Sequence, residues 1–171
     1  ELSAIAADLA DEAMHERPGF ELLPHWERSA ARPFSDAIKS EGLSVIAEFK
    51  RRSPSAGDIN VDADLEATVT AYLEGGARAI SVLTHPEFGG SVADLEQAAA
   101  LAEPYGVPVI RKDFITKMYQ LIEAKAYGAS AALLVVGAFE NEHEFMKLRY
   151  QAEGMGLETL IEVHDLDELE I

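Results

Sequence analysis

A chain of 171 residues, 48% apolar and 26% charged, is sized for one globular domain with a substantial core, which excludes wholesale disorder. Its formal charge of −17, from 31 acidic against 14 basic residues, sets the surface against nucleic acid and anionic membranes, and no apolar run approaches the ~20 residues of a membrane helix. The absence of cysteine excludes disulfides, thiolate metal sites and a cysteine nucleophile and sits well with a reducing cytoplasm; six lysines among so many carboxylates suggest adaptation to high salt.

The chain opens on Glu1–Gly19, which carries carboxylates rather than the basic-then-apolar order of a signal peptide. Leu2, Ile5, Ala6, Leu9 and Ala13 form an amphipathic stripe ended by Pro18-Gly19. Such a helix either packs on the outside or bottom of the domain or covers the mouth of a site. From residue 45 a second regime begins. Aliphatic and β-branched runs at Val45–Phe49, Ala79–Thr84, Val107–Arg111, Ala131–Val136 and Thr159–Val163 alternate with helical periodicity over Asp64–Gly75, Val92–Tyr105, Met118–Tyr127 and Glu142–Gly154. The runs are nearly continuous in apolar character, which predicts strands covered on both faces and hence a parallel sheet. Gly75-Gly76, Gly106 and Gly128 punctuate helix ends, and Asn141 with Glu144 has the spacing of a capping box.

The predicted class is therefore α/β. A (β/α)8 barrel of ~250 residues gives each unit ~31 residues, so residues 45–171 would supply five strands, with a fifth helix beginning near Leu166. A complete five-stranded open sheet of the doubly wound type fits the periodicity equally. The end at Leu169-Glu170-Ile171, inside a helical pattern without a cap, favours a barrel truncated after strand five. The expected division is an N-terminal helical extension over 1–44 and five βα units over 45–171.

Three strand ends carry ionisable residues. Glu48 and Lys50, two apart on the first strand, point to the same side of the sheet and would face a barrel interior near its C-terminal mouth. The loop after them, Arg51-Arg52-Ser53-Pro54-Ser55, has the donors to grip an anion; a structural ion pair and a solvated basic loop explain it as well. Lys112 follows the apolar run of the third strand, where partial burial would lower its pKa and suit proton transfer, or Arg111-Lys112-Asp113 is a solvated cluster. Glu162 interrupts the fifth strand, where an unpaired carboxylate would have a raised pKa. In a barrel the three ends gather at one mouth, which makes three separate bland explanations hard to sustain. His85, His143 and His164 lack metal-ligand spacing and are expected on the surface; Gly89-Gly90-Ser91 is expected to turn into a helix N-cap. No dinucleotide or Walker-type loop occurs.

Ile46-Ala47-Glu48-Phe49-Lys50 with Ser53-Pro54-Ser55, Ser81-Val82-Leu83-Thr84 with Gly90-Ser91, Arg111-Lys112-Asp113-Phe114, and Leu160-Ile161-Glu162-Val163-His164 together resemble the indole-3-glycerol-phosphate synthase family, in order through nearly the whole chain. The resemblance implies a TIM barrel of tryptophan biosynthesis. Its reaction is the ring closure of 1-(2-carboxyphenylamino)-1-deoxyribulose 5-phosphate with loss of CO2 and water, without cofactor or metal. By position, Lys112 resembles the general acid on the ketone oxygen, and Glu162 the group for later proton transfers. Lys50 resembles the lysine that meets the substrate carboxylate, and Glu48 the carboxylate that orients Lys112 and substrate. Arg52, Ser53 and Pro54 match substrate- and phosphate-contacting positions, and Phe88, Phe114 and Leu133 match apolar walls. The chain departs in a segment Thr84–Ser91 about one residue shorter than usual, in Arg52 where some members have lysine, and in the absence of strands six to eight. A phosphorylated small molecule is the expected partner, with no nucleic acid or membrane, in a cytoplasmic protein. The full-length form is expected to be a monomer. The alternative is an inactive barrel fragment that self-associates through open strand edges into homo-oligomers.

Overall fold

β-branched and aliphatic runs too short for helices become strands, and each is followed by a helix that covers it. The computed structural model describes residues 32–39, 41–53 and 55–170. In chain order these are α1 (Phe34–Ile38), β1 (Ile46–Phe49), a hairpin of β2 (Arg52–Ser53) and β3 (Gly57–Asp58), α2 (Leu65–Glu74), β4 (Ala79–Leu83), α3 (Val92–Ala102), β5 (Val109–Lys112), α4 (Met118–Ala126), β6 (Ala131–Val135), α5 (Glu142–Gly154), β7 (Glu158–Glu162) and α6 (Leu166–Leu169). The five long strands form one parallel sheet in the order β1-β4-β5-β6-β7. Strand neighbours in space are neighbours in sequence, as in successive units of a (β/α)8 barrel. An open doubly wound sheet would reverse its order at a switch point. The amphipathic stripe Leu2–Ala13 lies outside the described residues.

The predicted elements recur within one or two residues, and the differences have local causes. Pro104 has no N–H to donate, so the helix predicted to Tyr105 ends at Ala102 and continues as a tighter turn over Glu103–Tyr105. The third strand runs to Lys112 rather than stopping at Arg111, because the ladder pairs Leu83 with Lys112. Side-chain caps hold the helix starts: Asp64 accepts from the Ala67 amide at 3.0 Å, Ser91 from Asp94 at 3.1 Å, and Asn141 from Glu144 at 3.1 Å. Gly106 and Gly128 end helices at φ +63° and +89°, where a side chain would be strained.

Alternation divides the strands between two faces. Phe49, Ile80, Val82, Val109 and Leu134 are buried toward the helices, against Leu65, Val69, Leu95, Leu121 and Phe145. The opposite, inner face has Ala79, Ile110 and Ala131 at the beginnings of its strands, and Phe34 of α1 packs on these three at 4% exposure. The inner face is therefore plugged at its floor. Beside Phe34, the Ser35 amide and hydroxyl donate to the two oxygens of Glu158 at 2.9 and 2.6 Å. Partial burial pushes the Glu158 carboxyl up, but the Ser35 hydroxyl, the Ser35 and Phe34 amides and Lys39 outweigh it and hold the group below its ordinary value.

Candidate active site

The inner-face residues change character toward the C-terminal ends of the strands. There a cavity of about 310 Å³ opens, and Glu48, Lys50, Ser53, Phe88, Lys112, Phe114, Leu133 and Glu162 all line it. Two lysine–carboxylate pairs dominate its charge. On β1, Lys50 Nζ lies 2.6 Å from Glu48 Oε1, and Ser81 Oγ, one strand over, is 3.5 Å from Glu48 Oε2. Across the cavity, Lys112 Nζ is 3.4 Å from Glu162 Oε2. Glu48 therefore takes Lys50 as its cation and leaves Lys112 to Glu162. The i, i+2 spacing puts the first pair on one face of one strand. Glu162 is not unpaired, because His164 also approaches it, with Nε2 3.4 Å from Oε1. Leu83 and Val135 complete the apolar wall.

Lys112 stands between two buried ions: Arg111, which alternation turns to the other side of the strand, and Asp113, which follows the strand and also borders the cavity. Arg111 is 4% and Asp113 8% exposed. The Arg111 guanidinium donates to Thr84 Oγ1 at 3.0 Å, to Asp113 Oδ2 at 3.1 Å, to the Gln120 carbonyl at 2.8 Å and to Glu123 at 3.0 Å. The Thr84 hydroxyl closes the circuit with a 2.6 Å bond to Asp113, whose other oxygen accepts the Phe114 amide at 2.9 Å. Buried charges so fully paired are tolerated, and removing one partner is costly. The cluster ties the ends of β4 and β5 to α4, so it is structural rather than solvated. Gln120 extends it: its amide oxygen accepts from Thr116 and Lys117, and its nitrogen donates to the Phe114 carbonyl, fixing the loop that carries Phe114.

The loop after β1 brings its serines to the cavity and turns its arginines away. Ser53 and Ser55 line the cavity. Arg51, one residue past Lys50, faces outward, with its guanidinium 4.8 Å from the Phe49 ring centre and bonded to Asp94 at 3.0 and 3.1 Å and to the Gly89 carbonyl at 2.9 Å. Arg52 pairs with Asp58 across the hairpin at 2.8 Å and does not reach the cavity. Pro54 lies outside the described residues. The segment after β4 brings Phe88 to the cavity, and Gly90 folds back onto the strand end. A Cβ there would sit 2.1 Å from the Leu83 carbonyl oxygen.

The histidines divide. His143 is exposed, as expected. His85 is not a surface residue: it is 3% exposed, 5.2 Å from the Phe88 ring centre and 5.6 Å from that of Phe114, and neither ring nitrogen has a partner among the described residues. The rings of Phe88 and Phe114 pack against it, a contact that ligand spacing does not reveal. His164 is 46% exposed but also lines the cavity beside Glu162. Among the described residues no helix is long and apolar enough to cross a membrane.

Comparison with known proteins places this architecture. The family model described as indole-3-glycerol phosphate synthase matches residues 5–171. The chain is 46% identical over 149 residues to indole-3-glycerol phosphate synthase of Streptomyces griseus, 46% over 144 residues to that of Bacteroides thetaiotaomicron, and 47% over 149 residues to indole-3-glycerol phosphate synthase 1 of Streptomyces coelicolor. Each match covers 84% of this chain and 54% of the relative, so the chain spans about half the length of the curated relatives it matches.

Proposed function

The chain belongs to the indole-3-glycerol phosphate synthase family, and from that premise we propose that the protein carrying it closes the indole ring of 1-(2-carboxyphenylamino)-1-deoxyribulose 5-phosphate, as a carbon–carbon lyase that releases CO2 and water. The observation that carries this is the pair of lysine–carboxylate couples from β1, β5 and β7 facing one cavity. In this reading Lys112 protonates the ketone oxygen as the ring closes, and Glu162 serves the later transfers, including dehydration. Lys50, held by Glu48, meets the substrate carboxylate. Phe88, Phe114 and Leu133 receive the aromatic ring, and Ser53 would meet the phosphate end, where the family resemblance alone also assigns Arg52 and Pro54. Proton transfer by lysine and carboxylate suffices for these steps, so the reading invokes no cofactor.

The test is formation of the indole product by the purified full-length protein that carries this chain, folded by circular dichroism. Folded protein without turnover overturns the reading. We place the protein in the cytoplasm and read its −17 charge as adaptation to high salt. A melting series in KCl should then show stability rising with salt, and unchanged or falling stability removes that part.

A further inference from the structure

Behind the apolar wall of the cavity sits a side chain with no part in the chemistry so far. His85 is 3% exposed, and neither of its ring nitrogens has a hydrogen-bond partner among the described residues. A buried polar group left unpaired lowers stability, so its presence calls for an explanation. Its neighbours supply one. The His85 ring centre lies 5.2 Å from that of Phe88, tilted by 41°, and 5.6 Å from that of Phe114, at 82°. Both phenyl rings line the cavity, whereas His85 does not. The geometry points to His85 as a positioning residue that sets the width of the aromatic slot. It is a wedge between the segments after β4 and β5, and it fixes how far Phe88 and Phe114 reach into the cavity. Its ligand, the benzene ring of the substrate, rests on the synthase reading; selection among ring substituents is what His85 adds.

Each side of the wedge is held by its own segment. On the β4 side, the His85 carbonyl accepts the amides of Phe88 and Gly90, both at 3.1 Å, around the turn Pro86–Phe88. Backbone and ring of His85 thus hold Phe88 together. On the β5 side, the Phe114 amide donates to Asp113 at 2.9 Å, and the Phe114 carbonyl accepts from Gln120 at 3.1 Å. Asp113 in turn accepts from Thr84, the residue before His85, at 2.6 Å. Neither phenyl ring can retreat toward His85 without displacing its imidazole. β4 and β5 each have a strand on either side, so the wedge lies within the sheet rather than at its edge.

The size of the ring gives the effect a direction. Imidazole is flat and smaller than a phenyl ring, and it meets both neighbours at ordinary aromatic separations. Removing it leaves a void into which Phe88 and Phe114 relax, which widens the slot. Enlarging it overpacks the same space and pushes them forward, which narrows the slot.

The experiment compares kcat/KM on the full-length protein that carries this chain. The substrates are the unsubstituted compound and derivatives with one methyl group at ring position 4 or 5, counted from the carboxyl-bearing carbon and away from the reacting atoms. His85→Ala should raise the ratio of methylated to unsubstituted kcat/KM about tenfold for at least one derivative, the scale of one methylene in an apolar pocket. His85→Phe should lower the same ratio. A merely structural role would lower both rates alike and leave the ratio at its wild-type value. Ratios unchanged in both folded variants, or moved in the same direction, overturn the wedge. If His85→Ala does not fold, His85→Phe decides alone. Absence of wild-type turnover defeats the synthase reading instead. The dissociation constants of anthranilate, 4-methylanthranilate and 5-methylanthranilate, measured by calorimetry, then decide the wedge by the same ratios, and failure of all three to bind overturns it.

Discussion

The same strands end in opposite chemistry. At their beginnings the inner face presents Ala79, Ile110 and Ala131, sealed by Phe34. At their other ends it presents Glu48, Lys50, Lys112 and Glu162 around open space. The floor excludes water by apolar contact, whereas the mouth holds cations and carboxylates within reach of it. The contrast teaches where substitution should act: changes at the floor alter stability, and changes at the mouth alter chemistry on an intact scaffold.

The sharpest test of that division is Lys112→Ala. Removal of the proposed general acid should cost about 10²–10⁴ in kcat with little change in melting temperature, read by indole formation and circular dichroism. Normal turnover would show that the acid is elsewhere. Arg111→Leu comes next, because it sits behind the mouth and strands Asp113 and Glu123 without their cation. Urea unfolding should show a loss of about 3–5 kcal/mol. A near-neutral result would mean that water reaches the cluster. Phe34→Ala should cost about 3 kcal/mol by the same measurement, toward the low end for a buried aromatic, while activity well below the melting temperature is kept. If it abolished turnover in the cold, mouth and floor would not be separable.

The smallest effect belongs to Glu158→Gln, which keeps shape but weakens the clasp on Ser35. A fall of about 2–4 °C in Tm at neutral pH is expected, equivalent to about 1 kcal/mol. Because the folded carboxyl is held below its ordinary value, its contribution is present above the unfolded pKa and fades as pH falls through the folded one. The wild type should therefore lose stability in acid over that window, and the Gln variant should lack this part of the slope. Parallel acid limbs would mean that the clasp contributes nothing.

The mouth was legible in the sequence because a single charge at the end of an apolar run is conspicuous, and a period of two tells which charges share a face. That rule joins Glu48 to Lys50 and separates Lys112 from Arg111. It does not say what waits on the far side. Arg111 finds its partners in Thr84, 27 residues earlier, and Glu123, 12 later, so only the packed helix shows the cluster to be buried. His85 is buried rather than exposed for a similar reason: it packs against the rings of Phe88 and of Phe114, the latter 29 residues further along the chain. Arg51 and Arg52 looked suited to an anion by composition, yet Asp94 and Asp58 claim them first. The floor was hardest to read, because α1 is short and meets strands far along the chain.

That distance has a consequence during synthesis. Ser35 and Glu158 are separated by 123 residues, so at about 5–20 residues per second Glu158 is made roughly 6–25 s after Ser35. Ala79, Ile110 and Ala131 are already made by then, and the clasp that pins α1 beneath them has no acceptor until β7 begins. The rate at which a ribosome passes from residue 131 to 158 therefore sets how long a nascent chain waits for the clasp that secures Phe34.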